Sequence, residues 1–205
     1  MLAMSEPYNE QLDLDLVARY FSNLDLSTER FSHAETQTRK TPDFRIRKDG
    51  IIVAYCEVKA PNDPWLDKLS DNAPPLILVG GARPDPTFNR LARLLNKADA
   101  QFAAVNPARD ALNILAYVNH DDASNRNDLV ETLTGYFHAD DGTKYPTNLH
   151  IANRLIGNAK LRIDGFLWFE ANTRLLTCVM VNENDEERKL RLCALLGFNP
   201  DEIQR

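Results

Sequence analysis

Residues 41–61 read TPDFRIRKDGIIVAYCEVKAP, and both the fold and the chemistry are read outward from them. Phe44 to Arg47 alternates apolar and basic side chains, Asp49-Gly50 is a two-residue turn signal, and Ile51 to Cys56 is a run of strand formers. The stretch therefore predicts an antiparallel hairpin. Side chains alternate across a strand, so Glu57 and Lys59 share one face with Tyr55, Val53 and Ile51, while Cys56, Val58 and Ala54 face the other way. Counting outward from the turn pairs position 48 near 51 and Asp43 near 56. That places Asp43 within one residue of Glu57 across the ladder.

A carboxylate and an ammonium at the end of an apolar strand are costly unless paired or ligated. Two carboxylates about 4 Å apart repel by about 4 kcal/mol at an effective dielectric of 20. They call for a cation, and oxygen ligands of this kind suit Mg²⁺ or Mn²⁺. Lys59 would then orient a water for attack on a phosphate. The same residues are equally compatible with a cross-strand salt-bridge cluster around Lys59, and spacing alone leaves both open.

On the N-terminal side, Glu10 to Leu24 carries apolar residues at helical spacing, and Arg30 to Gln37 is expected to be an extended edge segment. On the C-terminal side, residues 61–86 hold six prolines and a Gly80-Gly81 pair, with a short strand expected at Leu76–Val79. A helix is predicted from Thr87 to about Ala104, with Phe88, Leu91, Ala92, Leu95, Ala98 and Phe102 on its apolar face. A strand follows at Ala111–Asn119, and residues 120–160 read as polar and irregular. Arg162 to Val181 predicts a second hairpin turning near Ala171-Asn172, and Glu186 to Leu196 a final helix closed by Gly197.

The expected class is α/β, with a mixed central sheet flanked by helices and a C-terminal hairpin and helix. One domain is expected over residues 1–205, its core at about 9–119 and an extension of the same domain at 120–205.

Composition narrows the function classes. The 205 residues are 43% hydrophobic and 26% charged, which weighs against a disordered chain, a collagen or a coiled-coil rod. No run approaches the roughly 20 apolar residues of a membrane span, so no membrane partner is expected. MLAMSEPYNEQ lacks the pattern of a secretory signal. Cys56, Cys178 and Cys193 show no C-x-x-C spacing and read as buried thiols, which points to a cytoplasmic protein. The net charge of −6 weighs against a nonspecific nucleic-acid coat, but not against one local basic face. Arg39, Lys40, Arg45, Arg47 and Lys48 crowd into ten residues that hold the single acid Asp43. His120-Asp121-Asp122 reads as a loop end, because no second histidine stands at ligand spacing. Trp65 in the proline-rich stretch is expected to pack on the core, with stacking on a base as the alternative.

Thr41-Pro42-Asp43-Phe44, followed after the hairpin by Cys56-Glu57-Val58-Lys59-Ala60-Pro61, resembles the PD-(D/E)xK nuclease superfamily, in the flavour of restriction-type nuclease domains. The resemblance covers about residues 9–119, and its weight lies in the order helix, Pro-Asp hairpin, Glu-x-Lys, helix, strand. It implies a restriction-endonuclease-like core and a metal-dependent nuclease, with DNA the expected substrate, serving restriction, defence or repair. Asp43 and Glu57 would bind Mg²⁺ or Mn²⁺ with the carbonyl of Val58, and Lys59 would position the water.

Family members often carry a further glutamate in the first helix. Glu10 is the candidate here, ahead of Glu29 and Glu35, although an acid at a helix start also serves the dipole. On the helix after the motif, Gln101 and Lys97 match the place of substrate-contacting residues, with a solvated helix face as the alternative. Arg45 and Arg47 are expected to contact phosphates. Two-strand cleavage would imply a homodimer, or a place in a larger complex. The competing expectation is a catalytically inert module of the same fold that binds nucleic acid or a protein partner.

Overall fold

The computed structural model describes residues 9–61, 86–121, 123–182 and 185–200. The chain enters through helix α1 (Glu10–Ser22), whose N-terminus is capped by the Asn9 side chain accepting the Gln11 N–H at 3.0 Å. Leu14, Val17 and Phe21 form its buried stripe. Strand β1 (Ser27–Arg30) and a short helix α2 (His33–Thr38) follow. The expectation of an extended segment over Arg30–Gln37 is therefore corrected: Ser32 and Glu35 form a reciprocal capping box that starts a helix there.

The hairpin forms as β2 (Phe44–Lys48) and β3 (Ile51–Lys59). Asp49 and Gly50 both take positive φ, 51° and 79°, the backbone that a tight two-residue hairpin turn requires. Helix α3 (Thr87–Val105) then carries the chain across the sheet, so that β4 (Leu112–Asn119) lies parallel to β3. All eight residues of β4 are buried, as befits a central strand covered on both faces.

Residues 120–160 are more structured than their composition suggests. They contain helix α4 (Arg126–Thr134), a small hairpin β5 (Tyr136–His138) and β6 (Lys144–Pro146), a π-helical turn at Ile151–Leu155, and helix α5 (Gly157–Arg162). This correction has a physical basis: α4 starts on an Asn125–Asp128 capping box and ends at Gly135 with φ 82°, both local signals. The predicted second hairpin is β7 (Gly165–Glu170) with β8 (Leu175–Val181), and helix α6 (Glu186–Leu196) closes at Gly197 with φ 75°.

The main sheet runs β1-β2-β3-β4-β7-β8, parallel across β3, β4 and β7 and antiparallel elsewhere. The mixed, helix-flanked α/β sheet is as expected. The C-terminal hairpin is no appendage, since β7 pairs directly with β4. One face, bearing Cys56, Ile114, Ala116, Val118, Leu167 and Phe169, is covered by α1 and α6. The other, bearing Leu115, Tyr117, Phe166 and Trp168, is covered by α3, α4, the π-helical turn and α5. A buried ion network seals the end where β4 begins. Asp164 accepts from Arg188 Nε at 2.6 Å, Arg109 Nη2 at 2.8 Å and the Asn113 N–H at 2.7 Å.

Cys56 and Cys193 are buried free thiols. Among the described residues no helix is long and apolar enough to cross a membrane. The expected strand at Leu76–Val79, Trp65 and the Gly80-Gly81 pair lie outside the described residues.

Candidate active site

A β-bulge decides how the two carboxylates meet. Ile46 pairs with Ala54 and Arg47 with Ile52, so Val53 is the extra residue on β3. The ladder then runs Arg45 to Tyr55 and Phe44 to Cys56, and the next step brings Asp43 level with Glu57. Plain counting, without the bulge, puts Asp43 opposite residue 56. Asp43 Oδ2 accepts the Val58 N–H at 2.8 Å, which fixes the carboxylate against the end of β3. Within a strand a residue's N–H and C=O point the same way, so the Val58 carbonyl opens toward Asp43 as well.

Glu57 is only 2% exposed. Lys59 Nζ donates to its Oε1, while Oε2 is buried with no hydrogen-bond partner among the described residues. Gln101, on α3, ties down the other side. Its Nε2 donates to the Thr41 carbonyl at 2.8 Å, holding the segment that leads into Asp43, and its Oε1 is likewise buried without a partner. Burial, and then the neighbouring Asp43 charge, push the Glu57 carboxyl up to about 7, against the pull of Lys59 and of the Gln101 amide, which stands near the carboxyl without closing a hydrogen bond to it. The Cys56 thiol is pushed up by burial and by the same two carboxylates.

The structure therefore brings together Asp43, Glu57, Val58, Lys59 and Gln101. Two acidic side chains meet here; among the described residues no group of three or more His, Cys, Asp or Glu is placed to hold a metal. Glu10 does not join them. It is exposed in the first turn of α1, and α1 covers the Cys56 face, opposite Glu57 and Lys59. The acid that α1 turns inward is Asp13, 3% exposed, whose two oxygens lie 2.9 and 3.0 Å from His120 Nε2 beyond the end of β4. Sequence reasoning missed this pair, yet a signal was present: Asp13 stands four residues before Val17 and eight before Phe21, on the apolar stripe. Lys97 is exposed on α3, one turn before Gln101.

Arg45 and Arg47, expected to contact phosphates, are engaged by acidic side chains within the chain. Arg45 donates to Glu29 Oε1 at 3.0 Å and to Glu35 Oε1, and its guanidinium lies 3.7 Å from the centre of the Phe31 ring. Arg47 donates to Glu29 Oε2 at 2.6 Å and to the Gly50 carbonyl at 2.7 Å. Glu29 and Glu35, the weaker alternatives to Glu10, are thereby taken up as arginine partners. Both carboxyls are held below their ordinary range, Glu35 at about 2.

Comparison of the chain with protein-family models, with curated proteins and with solved structures returns no match.

Proposed function

We propose that the chain is a divalent-metal-dependent nuclease that hydrolyses phosphodiester bonds, with DNA as its substrate and Asp43, Glu57, Val58 and Lys59 as its centre. The observation that carries this reading is Glu57, a carboxyl buried beside a second carboxylate with one oxygen left unsatisfied. Such an arrangement costs folding free energy. A cation held between Asp43 and Glu57 offsets that cost.

The donors fit a hard cation. Mg²⁺ takes one or two carboxylates and keeps several waters, and Mn²⁺ accepts the same oxygen ligands. Asp43, Glu57 and the Val58 carbonyl would hold it, with water and a substrate oxygen completing the shell. When bound, the metal supplies an acidified water and neutralises charge on the phosphate. Lys59 orients the attacking water from the Glu57 side, and Gln101 keeps Asp43 in place through Thr41. Cutting both strands calls for two such centres, which a two-fold pair of chains would supply.

A second reading, a nuclease-like fold that only binds nucleic acid or a protein partner, draws on the absence of a third acidic ligand among the described residues. The two readings separate in one experiment. Supercoiled and linear DNA are incubated with the purified protein and with Lys59→Ala, in Mg²⁺, Mn²⁺ or EDTA. Metal-dependent nicking that the variant loses supports the nuclease. Nucleic-acid binding with no nicking in any metal supports the inert module.

A further inference from the structure

The basic run at residues 39–48 divides in two when folded. Arg45 and Arg47 are spent on Glu29, Glu35 and the Gly50 carbonyl, as described above. Arg39, Lys40 and Lys48 are exposed and have no ion-pair partner among the described residues. Lys48 pairs with Ile51 at the turn, five positions from Asp43, and is thus carried about 17 Å down the ladder from the site. Lys40 stands three residues before Asp43, so its backbone lies within about 11 Å of it. A further cation comes from a strand that the basic run does not include. Arg30, at the end of β1, has a side chain 53% exposed, and its Nη2 lies 4.0 Å from Asp43 Oδ1. Its guanidinium also lies 5.5 Å from the centre of the Phe44 ring, an apolar shelf that holds the group beside the carboxylate.

We propose that Arg30, Arg39 and Lys40 are the phosphate-contacting edge of the site, and that Arg45 and Arg47 are internal staples that hold this edge in place. The proposal rests on the nuclease reading. Arg30 is near enough to Asp43 to leave it for a phosphate oxygen arriving at the centre, and guanidinium binds phosphate through paired N–H donors. Arg39 and Lys40 take the neighbouring phosphates along the strand. Arg45, clamped between two carboxylates and an aromatic ring, anchors α2 through Glu35 and thereby sets where Arg39 and Lys40 begin. A chain of net charge −6 thus presents a local cationic lip to a polyanion.

The test is the salt dependence of binding to a fluorescein-labelled DNA duplex, followed by anisotropy in EDTA so that nothing is cut. Each phosphate contact contributes about 0.9 to the slope of log K against log salt. Arg30→Ala is expected to lower the slope by about 1 and Arg39→Ala/Lys40→Ala by about 2, with Arg30→Lys keeping the wild-type slope. Lys48→Ala, at the far end of the hairpin, is expected to leave the slope unchanged. An unaltered slope in both Arg30→Ala and the double variant overturns the proposal, as does a loss that appears in Lys48→Ala instead. If that happens in a protein whose wild type still nicks DNA in Mg²⁺, only the proposed edge fails. A wild type that neither binds nor cuts nucleic acid overturns the edge and the nuclease reading together.

Discussion

Replacing Glu57 with glutamine removes the charge while keeping the shape, and the structure says how far this should move stability. The carboxyl stands at about 7 in the folded chain against an ordinary 4.5. For an acid, a raised value means that the fold holds its proton more tightly than the unfolded chain does. Between pH 4.5 and about 7 the native state therefore binds more protons, and stability falls as pH rises. Above about pH 7 the full loss is present. At about 1.4 kcal/mol per pH unit, the displacement amounts to about 3 kcal/mol at pH 8.

Glu57→Gln cannot ionise and escapes that loss, so without metal it should exceed the wild type by about 3 kcal/mol at pH 8. At 2–4 °C per kcal/mol for a chain of this length, that is roughly 6–12 °C in melting temperature. At pH 4.5 and below the two proteins should converge. Millimolar Mg²⁺ or Mn²⁺ should raise the wild-type melting temperature at pH 8 and leave the variant unmoved. Thermal denaturation followed by circular dichroism across pH 4–8 measures all of this. A variant no more stable than wild type at pH 8, or a gap that does not change with pH, would refute the reasoning.

Other outcomes follow from the same geometry. Arg45→Ala should destabilise the fold by about 1 kcal/mol, chiefly because it empties the space over Phe31, while Glu35 loses its arginine and Glu29 keeps only Arg47. Because Glu35 is depressed from 4.5 to about 2, its contribution is present above pH 4.5 and lost as pH falls toward 2. Chemical denaturation over that window should show a steeper acid loss in wild type than in Arg45→Ala. Gly165→Ala should cost about 2 kcal/mol in a urea titration, because its Cβ would meet Leu192 Cδ2 at 2.5 Å and Leu192 is wholly buried.

The hairpin was legible because its signals are local. Asp49-Gly50 takes two positive φ angles as its local turn signal requires, α1 and α6 announce themselves by apolar spacing and caps, and α3 by its apolar spacing alone. Helix α2 was legible in principle, since Ser32-His33-Ala34-Glu35 spells a capping box, but its six residues have no buried face to set a period. The bulge at Val53 has no such signature, and it determines which residue Asp43 faces. The parallel pairing of β7 with β4 depends on the whole intervening segment, whose short helices and hairpin show no long periodicity.

At the site, the alternation of β3 correctly put Glu57 and Lys59 on one face. What Arg45 binds could not be read from the run that contains it, because its partners Glu29 and Glu35 come from β1 and α2. Asp13 and His120 are separated by 107 positions and meet only when α1 lies across the end of β4.

The central claim is that Asp43 and Glu57 share a divalent cation, and isothermal titration with Mn²⁺ tests it most directly. Wild type should bind one equivalent with release of protons near pH 7, and Glu57→Ala and Asp43→Asn should each abolish that binding while remaining folded. Wild-type titration curves in both variants, or none in the wild type, would contradict it.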